Sequence, residues 1–309
     1  AAAGRVVGEL RAKPGDDEIG YRGSERFVGR LVRYRPAERL EWDAEVPKRL
    51  VAERRGTFDA LAWKPCERVA PGPGQVEIEV EATGLNFKDV MNALGTYPGE
   101  AGPLGSECAG RIVRVGSGVR PLNAGDRVVA VAAGAFSRYV IGDARMVSRI
   151  PAHLSDEEAA TMPVAYVTAW FALRHLGQVK PGDTVLVHAA AGGVGLAAVH
   201  LARRAGAEVF ATAGTDAKRE YLRRLGVRHV FSSRSLDFAE GVLAATNGRG
   251  VDIVLNSLAG DFIARSFAVT AAEGRFLELG KRDLWTDDQV ASLGRAIKYF
   301  IIDWGETSR

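Results

Sequence analysis

At 309 residues the chain exceeds the length at which a single hydrophobic core keeps growing, so two domains are the natural expectation. Its net charge is only +3, and residues 1–55 supply all of that excess, which argues against the electrostatic footprint of a nucleic-acid binder. The two cysteines cannot build a disulfide framework and suit a reducing compartment; no apolar run reaches the roughly 20 residues of a membrane span, so the sequence reads as cytoplasmic.

The chain begins Ala1-Ala2-Ala3-Gly4, without an initiator methionine, and its first 50 residues are rich in charge. They read as a linker and the first strands of a domain excised from something longer. From 51 to 155, strands such as Val76-Glu77-Ile78-Glu79-Val80 and Arg127-Val128-Val129-Ala130-Val131 lie between turns such as Pro71-Gly72-Pro73-Gly74 and Pro98-Gly99. Short alternating strands bounded by Gly and Pro predict an irregular antiparallel β domain. All 12 prolines lie at or before Pro181, so the architecture changes there.

Ser155-Asp156-Glu157-Glu158 has the capping-box pattern and predicts a helix start at the domain border. The segment from Pro163 through Tyr166, Trp170 and Phe171 to Gly177 follows, with its aromatic face expected in the core. Then Val185-Leu186-Val187 reads as a buried strand running into Gly192, Gly193 and Gly195, and 196–202 continues at helical period. Such a turn lets backbone approach a pyrophosphate and offers it the free N–H groups of a helix start. The turn reads A-x-G-x-x-G from Ala190 rather than G-x-G-x-x-G, and an ordinary tight turn is the alternative.

Alternation continues to the end: strands at 208–212, 228–231, 251–256, 275–279 and 299–302, with helices at 216–225, 236–246 and 262–271. Six strands linked by helices of this length predict a doubly wound parallel sheet, α/β in class, over 156–309. An NAD site commonly places Asp or Glu at the end of the second strand. Here that strand ends Ala211-Thr212-Ala213-Gly214, while Lys218 and Arg234 could meet a 2′-phosphate, which favours NADPH. Solvated cations near Asp216 are the other reading.

The ordered series Asn86-Phe87-Lys88-Asp89, Gly105-Ser106-Glu107-Cys108-Ala109-Gly110, Ala124-Gly125-Asp126-Arg127-Val128, the glycine turn and Val254-Leu255-Asn256-Ser257-Leu258-Ala259-Gly260 resembles the medium-chain dehydrogenase/reductase superfamily. Within it the chain is similar to the enoyl reductase domains of modular polyketide synthases, over about residues 20 to 309. The resemblance implies a GroES-like substrate domain at 51–155 beside a Rossmann domain. It implies NADPH reduction of a trans-2-enoyl thioester, with an acyl carrier protein and neighbouring domains such as a ketoreductase as partners.

Among site residues it implies Tyr97, Lys281 and Asp303 for catalysis: the first two as candidate proton donors, the third as the lysine's acidic partner. It implies Asn86, Ala191, Gly192, Gly193, Val194, Gly195, Thr212, Lys218, Arg234, Asn256, Ser257 and Leu258 for the cofactor. Without it, Tyr97 is a packing residue and Lys281 an exposed cation. A tyrosine at 97 also implies one stereochemical class for α-methyl substrates. No metal is expected: Ser106-Glu107 stands where the zinc enzymes have His-Glu, and His153, His175, His188, His200 and His229 lack ligand spacing. The superfamily chain returns to the catalytic domain after the nucleotide domain, and this one stops at Arg309, so truncation is expected. A free-standing quinone oxidoreductase and a silent nucleotide-binding scaffold are the other functions considered.

Overall fold

Among the residues that the computed structural model describes, 19–22, 25–28 and 46–303, the chain forms two units that divide between 44 and 45. The described part of the first is an antiparallel hairpin, β1 (Ile19–Arg22) with β2 (Glu25–Val28). Most of the expected linker, and residues 304–309, lie outside the described residues.

The second unit opens with the antiparallel pair β3 (Lys48–Ala52) and β4 (Leu61–Pro65), so the expected division after residue 50 runs through β3. Next come β5 (Gln75–Thr83), helix α1 (Phe87–Ala93), β6 (Glu107–Val115), β7 (Arg127–Val131), β8 (Tyr139–Asp143) and β9 (Val147–Arg149). They form one antiparallel sheet in the order β8-β5-β6-β7-β9. Alternation explains it: Val76, Ile78, Ile112, Val128 and Val140 turn into one core, while the alternate Glu77 lies on the other face, buried under Arg68 and Arg114. Short helix α2 (Asp156–Ala160) starts at Ser155 with the expected capping box.

Helix α3 (Pro163–Trp170) continues as a π-helical turn, Phe171–Leu176. Its core side is set by Ala165, Ala169, Ala172 and Leu173 at helical spacing. Tyr166 and Phe171 pack partly against that core, but Trp170 is 53% exposed, contrary to the expectation for the aromatic face. Small residues hold the inward positions, and Trp170 falls beside them on the outer side.

The remainder runs β10 (Thr184–Val187), α4 (Gly193–Arg204), β11 (Glu208–Ala213), α5 (Asp216–Arg224), β12 (His229–Ser232), α6 (Phe238–Ala245), β13 (Val251–Asn256), α7 (Asp261–Ala268), β14 (Thr270–Glu278), α8 (Asp287–Ala291) and β15 (Lys298–Ile301). The strands make a wholly parallel sheet in the order β12-β11-β10-β13-β14-β15, whose winding reverses between β10 and β13. Both faces are apolar. Val185, Val187, Ala211 and Leu255 enter one cluster with α4, and Leu186, Phe210, Val254 and Phe276 enter the other with α6 and α7. Each such large side chain contributes about 1.5–3 kcal/mol when buried. Helix α7 stops three residues short of expectation: Arg295 donates to the carbonyls of Phe267 and Thr270, both at 2.7 Å, and Val251 N–H takes that of Val269. Among the described residues no helix is long and apolar enough to cross a membrane.

At the glycine turn the two helical glycines differ in what they meet. A Cβ on Gly195 would lie 2.6 Å from both the Ala189 carbonyl oxygen and Ala190 Cα, so α4 sits on β10 only with glycine there. A Cβ on Gly193 would meet nothing nearer than Ala165 Cβ at 3.9 Å. Gly195→Ala should therefore lower the stability measured by urea unfolding by about 1–3 kcal/mol, and Gly193→Ala by less than about 0.5 kcal/mol. Equal losses would contradict this division.

Candidate active site at the strand ends

β10 leads directly into His188, whose ring is fully enclosed. Burial pushes it down to about 3, so the ring is neutral. Its Nε2 lies 2.8 Å from the Ser266 hydroxyl, which itself donates to the Phe262 carbonyl, and its Nδ1 lies 3.0 Å from Thr212 Oγ1. Nε2–H thus donates to Ser266, and Nδ1 accepts from Thr212. Thr212, a candidate cofactor residue, is buried with its hydroxyl on this histidine. The chain then turns through Ala189 at φ 47, Gly192 caps α4 without a side-chain bond, and the first turn of α4 carries no acid. The leading N–H groups of a helix have no partner within it, so Gly193, Val194 and Gly195 present donors to an anion, while Gly192 N–H is taken by the Ala189 carbonyl at 2.9 Å.

β11 ends in a cluster of cations. The Arg234 guanidinium lies over Gly214, where a Cβ would come within 3.0 Å of its Nε. Lys218 is exposed on the first turn of α5, and Thr215 caps that helix. Arg219, which the sequence reading passed over, donates to the Ala213 carbonyl at 3.0 Å and pairs with Asp216. Asp216, the acid that weakened the NADPH argument, is therefore matched by a cation of its own helix.

The ends of β13, β14 and β15 are joined by polar side chains. Asn256 is fully buried: its amide donates to the Leu258 carbonyl (2.8 Å) and to Glu278 Oε2 (2.6 Å), and its oxygen accepts from Leu258 N–H (3.2 Å). Ser257 is exposed on that turn. Glu278 Oε1 accepts from Gly280 N–H at 2.6 Å, and burial pushes this carboxyl up to about 7. Next in the chain, Lys281 donates to Asp303 Oδ2 at 2.6 Å and to the Ile302 carbonyl at 3.2 Å. The structure thus brings Lys281 and Asp303 together, with the lysine side chain 26% exposed.

The antiparallel half supplies Asn86, Glu107 and Tyr97. Asn86 begins α1 and donates from Nδ2 to Glu107 Oε1 at 2.7 Å; Glu107 Oε2 accepts from Val164 N–H at 2.8 Å, in the first turn of α3. Burial pushes the Glu107 carboxyl above its usual range. This acid ties the strand-and-loop half to the helix that leads into the parallel half. Tyr97 is half-buried, and the Lys88 ammonium stands 5.3 Å from its ring centroid. Among the described residues no hydrogen bond or ring contact joins Tyr97 to Lys281.

The sequence reading missed Glu278, Glu107 and Arg219 as site residues. An acid inside the apolar run Arg275-Phe276-Leu277-Glu278-Leu279 is the signal that could have found the first. The donor set does not fit zinc. Cys108 lies in the core with its thiol pushed up to about 12 by burial, and Glu107 is committed to Asn86 and Val164. Among the described residues no three His, Cys, Asp or Glu side chains converge.

A family model described as "Zinc-binding dehydrogenase" matches residues 193–299, and one described as "Alcohol dehydrogenase GroES-like domain" matches 72–152. A phenolphthiocerol/phthiocerol polyketide synthase polypeptide of Mycobacterium tuberculosis is 42% identical over 96% of this chain, which spans 14% of that protein's length. The crystal structure of CurK enoyl reductase is 42% identical with a TM-score of 0.81, covering 85% of this chain and 82% of the other. A mycobacterial protein solved in complex with NADPH is 29% identical with a TM-score of 0.76, over 84% and 82% of the two chains. With that identity to CurK over most of both chains, and both halves of the fold matched, the chain belongs to the enoyl reductase domains of modular polyketide synthases, in the medium-chain dehydrogenase/reductase superfamily.

Proposed function

We propose that this chain reduces a trans-2-enoyl thioester to the saturated thioester with NADPH. The thioester is presented by an acyl carrier protein within a cytoplasmic synthase, beside domains such as a ketoreductase. The observation that carries the reading is the Lys281–Asp303 pair at the carboxyl ends of β14 and β15, a partly exposed cation on the same edge of the sheet as the reversal point between β10 and β13, where a doubly wound sheet takes its dinucleotide.

The residues present fit that cofactor. Gly193 leaves space over free helix N–H groups, and Arg234 with Lys218 supplies positive charge beyond β11. Bound there, NADPH would supply hydride to the β-carbon. Negative charge then spreads over the α-carbon and the thioester oxygen, where an ammonium both stabilises it and delivers a proton. Lys281 takes that part, and Asp303 holds its ammonium in place. Tyr97, from the other half, is the second candidate donor, and the one tied to the configuration of an α-methyl product. Asn86 and the Ser257-Leu258 turn would help to hold the cofactor, with 51–155 as substrate domain and 156–309 as nucleotide domain.

Three measurements test this. The kcat/KM should favour NADPH over NADH by about 100-fold, and Arg234→Ala should cut that preference roughly tenfold through the KM for NADPH; comparable kcat/KM values for the two cofactors in the unaltered protein would refute the choice. With crotonyl thioester, Lys281→Ala should lower kcat by about 10²-fold or more while the KM for NADPH stays within about threefold. Tyr97→Val should invert the product configuration from a 2-methyl-enoyl thioester. Unchanged kcat removes the lysine from the chemistry, and unchanged configuration removes the tyrosine from stereocontrol.

A further inference from the structure

Glu278 is a fully buried carboxyl whose two hydrogen-bond donors, the Asn256 amide and Gly280 N–H, are both uncharged. Among the described residues it forms no ion pair with Lys or Arg. An acid held in this way costs stability that an apolar side chain would not, so packing alone does not account for it. Its place in the sheet does. The side chain holds Asn256, immediately before Ser257, and Gly280, immediately before Lys281. Its main-chain carbonyl accepts from Ile302 N–H at 2.8 Å, immediately before Asp303. A Cβ on Gly280 would lie 2.6 Å from Glu278 Oε1, so that link requires glycine. One residue thus fixes three adjacent strand ends, and each of those ends carries a proposed site residue.

We propose that Glu278 is a positioning residue of the reductase site, setting the Lys281–Asp303 pair in register with the 256–258 turn. The proposal rests on the functional reading above only for its kinetic arm. Of the groups around Glu278, Asn256 is uncharged, and burial together with the Glu278 charge pushes the Tyr299 phenol up to about 12. Asp287 on α8 acts on Tyr299 from beyond, and Lys281 and Asp303 are matched to each other. Glu278 is therefore the group of this cluster poised to change charge near neutrality. When protonated it turns one of its two acceptors into a donor, which opposes either Asn256 or Gly280.

The test is the rate at which Lys281 is acetylated by acetic anhydride, read by peptide mass spectrometry, in the unaltered chain, E278Q and N256S, with D303N as the reference for a freed lysine. Both E278Q and N256S should raise the Lys281 rate by about three- to tenfold towards that of D303N, the factor expected when one hydrogen bond is lost. N256S breaks the same link from another strand, so it decides the matter if E278Q fails to fold. In the unaltered chain the Lys281 rate relative to D303N should also rise as pH falls through about 7, and E278Q should abolish that rise. Unchanged rates in the folded variants, or a pH profile without that step, overturn the proposal. In the kinetic arm, E278Q should lower kcat about tenfold and leave the KM for NADPH within about threefold. A failure of the unaltered chain to reduce enoyl thioesters would sink the functional reading, while the acetylation rates still judge Glu278.

Discussion

A parallel sheet that buries both faces has no room for polar side chains along its length, and this constraint organises the molecule. Val185, Leu186 and Val187 show it in one strand, with successive residues entering opposite cores. Polar chemistry is pushed to the strand ends: Asp183 and Thr184 pair with Arg275 and Asp252 at the amino ends, and at the carboxyl ends His188, Thr212, Asn256 and Glu278 are each buried and each hydrogen-bonded. The same edge carries the glycine turn, the cations beyond β11 and the Lys281–Asp303 pair. The proposed cofactor site and the proposed proton donor therefore lie on one boundary of the sheet.

The buried polar groups at that boundary hold loops rather than face a ligand. Thr212 commits its hydroxyl to His188, and Asn256 commits both ends of its amide to the 256–258 turn and Glu278. The groups that stay partly open, Lys281, Arg234 and Lys218, are the cations. Burying a polar side chain with its partners satisfied gives a rigid rim, and an exposed cation on a rigid rim gives a defined place for negative charge. On the other side of the unit, Glu107 extends this logic by bonding Asn86 and the start of α3 at once.

Much of this was legible in the chain itself, because period and punctuation carry it. The strands from 185 to 302 follow apolar runs, β11 and β14 closed by Gly214 and Gly280, and Ser155 with Glu158 forms the capping box that the pattern predicts. What escaped notice depends on partners far away in sequence. The end of α7 is set by Arg295 and by β13, the outward turn of Trp170 by which small residues face the core, and α8 is too short to show a period. Glu278 stands out as an acid in an apolar run, but what it holds shows only once Asn256, 22 positions away, is seen to bond it. Lys281 and Asp303 were assigned through resemblance, and their 2.6 Å contact is what only the fold shows.

The central claim is that the strand-end site directs hydride to one carbon of the substrate and a proton to its neighbour. Reduction of crotonyl thioester with 4-deuterated NADPH in ordinary water, followed by NMR of the product, tests it most directly. The account predicts deuterium at the β-carbon only, with a solvent-derived hydrogen at the α-carbon. Deuterium at the α-carbon, or cofactor oxidation with a quinone but none with the thioester, would contradict it.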